Sequence, residues 1–160
     1  MNDDGVPTIL VGVSGSPASA AALIWAEDEA ARRHGRLRIV RIWHPEQRAF
    51  YARQAGRADV AGERDRARRD LAETVRSVLG PGQQADATAE VVEGTAEQAL
   101  VAESATADLL VLGAGPGISI GPVVRTCLRQ AHCPVVVVNP GQAGALTRNP
   151  AGSVPQPVGS

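Results

Sequence analysis

Three short runs of uninterrupted apolar residues constrain this chain most. They are Thr8-Ile9-Leu10-Val11-Gly12-Val13, Asp108-Leu109-Leu110-Val111-Leu112 and Cys133-Pro134-Val135-Val136-Val137-Val138. Each is too short for a helix and none alternates polar with apolar residues. Such runs read as strands buried on both faces, the condition found in parallel sheets. Leu37 to Trp43 alternates in part, so its strand has one less buried face. Thr88 to Glu93 completes a set of five strands.

Helical patterns fill the gaps between strands. Ser16 is a good N-cap, Pro17 suits the first helical position, and Ala18 to His34 reads as a helix that Gly35 ends at the C′ position. Ala22, Trp25, Ala26 and Glu29 lie on or beside one face of it. A long charged helix carries Val60, Ala67, Leu71, Val75 and Val78 at helical spacing, with Asp65 facing Arg68 and Arg69. Leu79-Gly80-Pro81-Gly82 stops it. Thr95-Ala96-Glu97-Gln98 forms a capping box for a short helix to about Ala105. Val123, Val124, Cys127, Leu128 and Ala131 mark the last helix. Glu46 to Gly56 shows no period and reads as loop.

Alternating strands and helices predict an α/β fold: a Rossmann-like, three-layer α/β/α sandwich with right-handed crossovers. A chain of 160 residues makes one domain. Residues 1–139 hold it. From Pro140 to Ser160 four Pro and four Gly stand among few apolar residues, the composition of a disordered tail. If the first strand is central, ligands gather where strand order reverses, between strands one and four. Val13-Ser14-Gly15 and Leu112-Gly113-Ala114 end those two strands.

Composition narrows the function. All sixteen basic residues are Arg and there is no Lys, which excludes a Walker A loop and Schiff-base chemistry. Four aromatic residues (Trp25, Trp43, Phe50 and Tyr51) are too few for a base-stacking surface. A net charge of −1 gives no general attraction to nucleic acid or anionic membranes. No run is long enough to span a bilayer. Two Cys without a framework, and an acidic N-terminus without a signal-peptide pattern, point to the cytoplasm.

Four candidate sites carry a sharp and a plain reading. Gly113, Gly115, Gly117 and Gly121 either cradle a phosphate or form a tight strand-to-helix loop that needs positive φ. Ser14-Gly15-Ser16 lacks the Gly-x-Ser-x-Gly pattern of a nucleophile elbow, and capping by Ser16 accounts for it better. Cys127, His132 and Cys133 lack zinc spacing and a fourth ligand, and read as core residues rather than metal ligands. The Arg-rich stretch from Arg53 to Arg76 is interleaved with carboxylates, the pattern of a solvated face.

Several segments, in order, resemble the universal stress protein (UspA) superfamily. Ile9-Leu10-Val11-Gly12-Val13-Ser14-Gly15-Ser16 looks like its opening strand and turn. Val92-Glu93-Gly94 looks like its third-strand region, Ala107 to Gly113 like its fourth strand, and His132 to Val138 like its closing strand. The resemblance implies an adenine nucleotide alpha hydrolase-like sheet of five parallel strands in the order 3-2-1-4-5. It implies a homodimer paired through Val135 to Val138, and a cleft for ATP, AMP or cyclic AMP.

The cleft residues it implies are Ser14, Ile42, Gly113, Gly115, Gly117, Gly121 and Val123, with Ile42 and Val123 as adenine walls. The ATP-binding branch has an Asp where this chain has Ser14. Its glycine loop runs five residues longer and ends in a hydroxyl residue where Pro122 stands here. Pro122 supplies neither an N–H nor a hydroxyl to a phosphate, so countercharge falls to Arg125 or another Arg. The expected function is a non-catalytic stress-response module acting through a protein partner, with absent or weak adenine-nucleotide binding. The alternative is a slow ATP hydrolase or phosphotransferase on the same cleft.

Overall fold

The computed structural model describes residues 5–44, 60–82, 85–115 and 120–140. Its strands are β1 (Thr8–Gly12), β2 (Arg36–Trp43), β3 (Asp86–Glu93), β4 (Leu109–Gly113) and β5 (Val135–Val138). Its helices are α1 (Pro17–Arg32), α2 (Val60–Leu79), α3 (Ala96–Ser104) and α4 (Pro122–Gln130), with a 3-10 turn at Gly80–Gly82. All strand pairs are parallel, in the order β3-β2-β1-β4-β5. The predicted fold class and strand order are thus present. The stretch from Glu46 to Gly56 and the tail beyond Pro140 lie outside the described residues.

Period-two alternation divides the sheet's apolar residues between two cores. Ile9, Val11, Val13, Leu37, Ile39, Leu109 and Val111 face α1 and α2, where Leu23, Ala26 and Leu71 meet them. Leu10, Val40, Leu110 and Leu112 face α3 and α4, where Leu100, Val124 and Cys127 pack. Double coverage is why β1 and β4 needed unbroken apolar runs. Trp43 is buried, and Trp25 packs partly buried against the first core.

Local signals explain most element boundaries. Ser16 Oγ accepts a hydrogen bond from Ser19 N, and Pro17 opens α1. Thr95 Oγ1 accepts from Gln98 N to open α3. Arg68 pairs with Asp65 on the solvated face of α2. The end of α1 departs from expectation. His34, not Gly35, takes the left-handed position, at φ 51°. His34 N donates to Ala31 O and Gly35 N to Ala30 O, a Schellman arrangement with His34 at C′. Gly35 has another cause: a Cβ there would sit 2.5 Å from the Pro7 carbonyl oxygen.

Two buried polar contacts link distant segments. Glu27 lies inward on α1, and its Oε1 accepts from Ala85 N at the start of β3. Glu29, placed by sequence on or beside the face of Ala22, Trp25 and Ala26, pairs with Arg32 and Arg33 near the helix end. Asp108 Oδ2 accepts from Thr8 N while Asp108 N donates to Thr8 O, clamping the starts of β1 and β4. On the other sheet face Arg38 joins β2, β3 and α3 through Glu90, Glu103 and Thr106.

The tightest approach in the fold is at Gly113. A Cβ there would lie 2.2 Å from Ala18 O and 2.8 Å from Ser19 N, both backbone atoms of the first turn of α1. Backbone cannot swing aside as a side chain does, so Gly113→Ala forces strand and helix apart. The expected cost is about 3 kcal/mol, or roughly 6–12 °C of Tm. Gly115→Ala meets nothing within 4 Å and serves as control. Thermal unfolding of both variants checks this, and equal Tm values would remove the constraint. At the other end of α1, His34→Gly is expected to stabilise by about 0.5–1 kcal/mol, because glycine adopts left-handed φ without a Cβ penalty. Urea unfolding at pH 7 reads the gain, and a loss of stability would show that the imidazole contributes more than its backbone conformation costs.

Candidate functional site

The strand order reverses at β1, which lies between β2 and β4. At the carboxyl ends of these strands the backbone ladder continues one residue beyond each strand. Val13 N donates to Val40 O and Ala114 N to Val138 O. The chain after β1 then turns away through Gly15, at φ +89°. That left-handed residue lets Ser16 return to cap α1.

A cleft of about 280 Å³ opens at this point. Its size falls at the lower end of small-molecule sites, which run from roughly 300 Å³ upward. Val40 and Ile42 of β2, Leu100 of α3, Leu112 of β4 and Val123 of α4 give it apolar walls. Gly12 also lines it. A Cβ at Gly12 would stand 3.2 Å from methyl groups of both Leu100 and Leu112, so the absent side chain lets these two wall residues pack against β1. Ser14, Ser16, Ser19 and Arg41 supply the polar atoms. Ser14 Oγ donates to Ser16 Oγ at 3.1 Å, which leaves the exposed Ser14 oxygen able to accept from a ligand hydroxyl.

Four of the seven sequence-derived site residues, Ser14, Ile42, Gly113 and Val123, line this one cleft. Gly115 and Gly121 are not among its lining residues, and Gly117 lies outside the described residues. The plain reading of the glycine loop also needs correction. Gly113, Gly115 and Gly121 do not have positive φ. Gly113 is required by its contact with α1, whereas Gly115 and Gly121 have open space where a Cβ would go.

Sequence reasoning missed Arg41. This partly buried residue alternates with Val40 and Ile42 and lines the cleft. It also lines an adjoining polar groove of about 430 Å³ with Ser16, Asp70, Glu73, Thr74 and Ser77. Arg125, the cation first considered, is exposed and turns back on its own loop, with Nη2 3.4 Å from Ile120 O. Strand alternation alone puts Arg41 on the sheet face opposite Val40 and Ile42, toward α1 and α2, so no sequence signal joined it to the cleft.

The remaining candidates resolve into structural roles. Ser14 is bonded to Ser16 rather than to a base, and Ser16 caps α1. Cys127 is fully buried in the second core, and burial pushes the Cys127 and Cys133 thiols up, away from the thiolate a nucleophile requires. Among the described residues no three His, Cys, Asp or Glu side chains gather into a metal-holding group, and no helix is long and apolar enough to cross a membrane.

An ATP ligand would meet this cleft unevenly. The apolar walls and Ser14 fit a purine and a ribose hydroxyl. The phosphate side fits less well, because Gly113 is held against α1 and Pro122 opens α4 without an N–H.

Known proteins share this arrangement. The sequence model of the Universal stress protein family matches residues 5–139. Universal stress protein Rv3134c of Mycobacterium tuberculosis is 31% identical over 150 residues, covering 91% of this chain and 53% of its own length. The chain thus spans about half the length of the curated relatives it matches. Among solved structures, a universal stress protein in complex with cAMP is 26% identical, with TM-score 0.58, covering 84% of this chain and 98% of that one. Universal stress protein UspA from Lactobacillus plantarum is 18% identical and shares the fold at TM-score 0.64, covering 82% of this chain and 97% of its own. On the match over residues 5–139, together with the 3-2-1-4-5 parallel sheet, the chain belongs to the universal stress protein family.

Proposed function

We propose that this protein is a non-catalytic, cytoplasmic regulatory module that binds small adenine nucleotides weakly in the β1/β4 cleft and acts as a homodimer. The cleft carries the reading. Its walls are apolar and Ser14, Ser16 and Ser19 supply hydroxyls, the combination that holds a purine nucleoside. A family member 26% identical to this chain is known in complex with cAMP. The shortened loop and Pro122 weigh against a triphosphate.

The absence of catalysis is argued from the groups around Ser14. Attack by water on a γ-phosphate is driven by positioned charge, usually a cation or metal held by a carboxylate. Among the described residues no carboxylate lines the cleft. The homodimer is argued from β5, an outer strand of the sheet formed by four consecutive Val. Val135, Val136 and Val137 remain only half-buried, and an apolar edge of this kind is usually covered by another strand.

Calorimetry on the full chain is expected to give AMP or cyclic AMP binding with Kd on the order of 0.1 mM, weaker binding of Mg-ATP, and no phosphate release above a Gly121→Trp control. Gly12→Val displaces the wall residues Leu100 and Leu112 and should weaken binding by about tenfold or more while the circular dichroism spectrum is kept. Micromolar Mg-ATP binding with turnover would instead support the hydrolase reading. Sedimentation velocity should show twice the chain mass at micromolar concentration, and a monomer at 100-fold higher concentration would remove the homodimer.

A further inference from the structure

We propose that Arg41 is the anion-recognising residue of the cleft, and that Asp70 and Glu73 limit its ligand to a nucleoside carrying a single negative charge, as in a cyclic phosphodiester. The inference rests on the reading of the cleft as a nucleoside site and names what its charged end meets. Among the described residues Arg41 is the one charged residue that lines the cleft. It is partly buried, and it has no hydrogen-bonded or ion-paired partner among the described residues. A guanidinium withdrawn from bulk water and left unpaired by protein is available to a ligand oxygen, and its planar fork suits two phosphate oxygens at once.

The surroundings of Arg41 set the charge limit. With Ser16 it stands where the apolar cleft joins the polar groove. Asp70 and Glu73 of α2 line that groove, the two carboxylates among its described lining residues. A ligand whose base enters between Ile42 and Val123 therefore extends its charged end toward one cation backed by two anions. A singly charged phosphodiester gains the Arg41 contact and keeps its remaining bulk neutral. A phosphomonoester carries close to two negative charges at neutral pH, and a triphosphate carries more. Each further charge meets the Asp70 and Glu73 side of the groove without a second cation to offset it. At the other end of the cleft, Pro122 and the contact of Gly113 with α1 leave few amides to take the excess.

The test is a binding series on the full chain at fixed ionic strength, using adenosine, cyclic 3′,5′-AMP, AMP and ATP. The wild type should prefer cyclic AMP to AMP, and AMP to ATP. Arg41→Gln should weaken cyclic AMP by roughly tenfold more than it weakens adenosine. Arg41→Lys should restore part of that difference. The double variant Asp70→Asn with Glu73→Gln should gain more for AMP and ATP than for cyclic AMP. Equal effects of Arg41→Gln on adenosine and cyclic AMP would overturn the role of Arg41 while leaving the cleft reading intact. Unchanged nucleotide preference in the double variant would overturn the charge limit. Failure of every adenine compound to bind the wild type would remove the cleft reading and this inference together.

Discussion

The contact of Gly113 with the first turn of α1 fixes the arrangement of the whole ligand end. Strand β4 reaches this turn at a distance no side chain would permit. The start of α1 is thereby drawn over the end of β4, and Ser16 and Ser19 come to line the cleft alongside Gly113. The same contact commits Gly113 to packing. A glycine that resembles part of a phosphate loop is here the point where two elements lock together. Gly12, its counterpart on β1, meets side chains instead, because its missing Cβ leaves room for the methyl groups of Leu100 and Leu112 rather than for backbone.

The fold was legible because its signals are local and repeated. Each strand announced itself by a short apolar run, and the starts of α1 and α3 by a hydroxyl residue in the correct place. Ser16 and Thr95 cap as their sequences imply. What sequence did not show depends on approach between distant segments. Gly35 looked like a helix stop, yet it is small because Pro7 passes close by, and His34 accepts the left-handed conformation. Glu27 looked like an ordinary helical carboxylate, yet it meets Ala85 fifty-eight positions away. Neither fact can be read from periodicity, since both neighbours enter from other elements.

The candidate site divides in the same way. Ser14, Ile42, Gly113 and Val123 were reachable from the ends of strands and the start of a helix. Arg41 was not, because it is one of three Arg in β2 and an Arg in a strand most often points to solvent. Its position acquires meaning only when α2 brings Asp70 and Glu73 into the adjoining groove and Ser16 returns beside it. The roles of Gly115 and Gly121 remain those of small residues in open space, with neither unusual φ nor a close neighbour to require them.

The two edges of the sheet make a final contrast. Strand β3 carries Asp86, Glu90 and Glu93, and most of its residues face solvent. Charge of this kind keeps a strand edge from recruiting another chain. Arg38 adds to it by bridging Glu90 to Glu103 of α3, which ties the edge to its own helix layer. Strand β5 carries no charge at all and is a single run of Val. Leu128 of the adjacent α4 is about half exposed. An apolar edge kept beside a protected one is what a sheet needs if it is extended on one side only. The ligand cleft opens at the carboxyl ends of β1 and β4, and β4 is bonded directly to β5. Pairing at that edge would therefore load the strand that holds Gly113 against α1. Cleft and outer edge are thus joined by a short physical route, through one strand and one glycine contact.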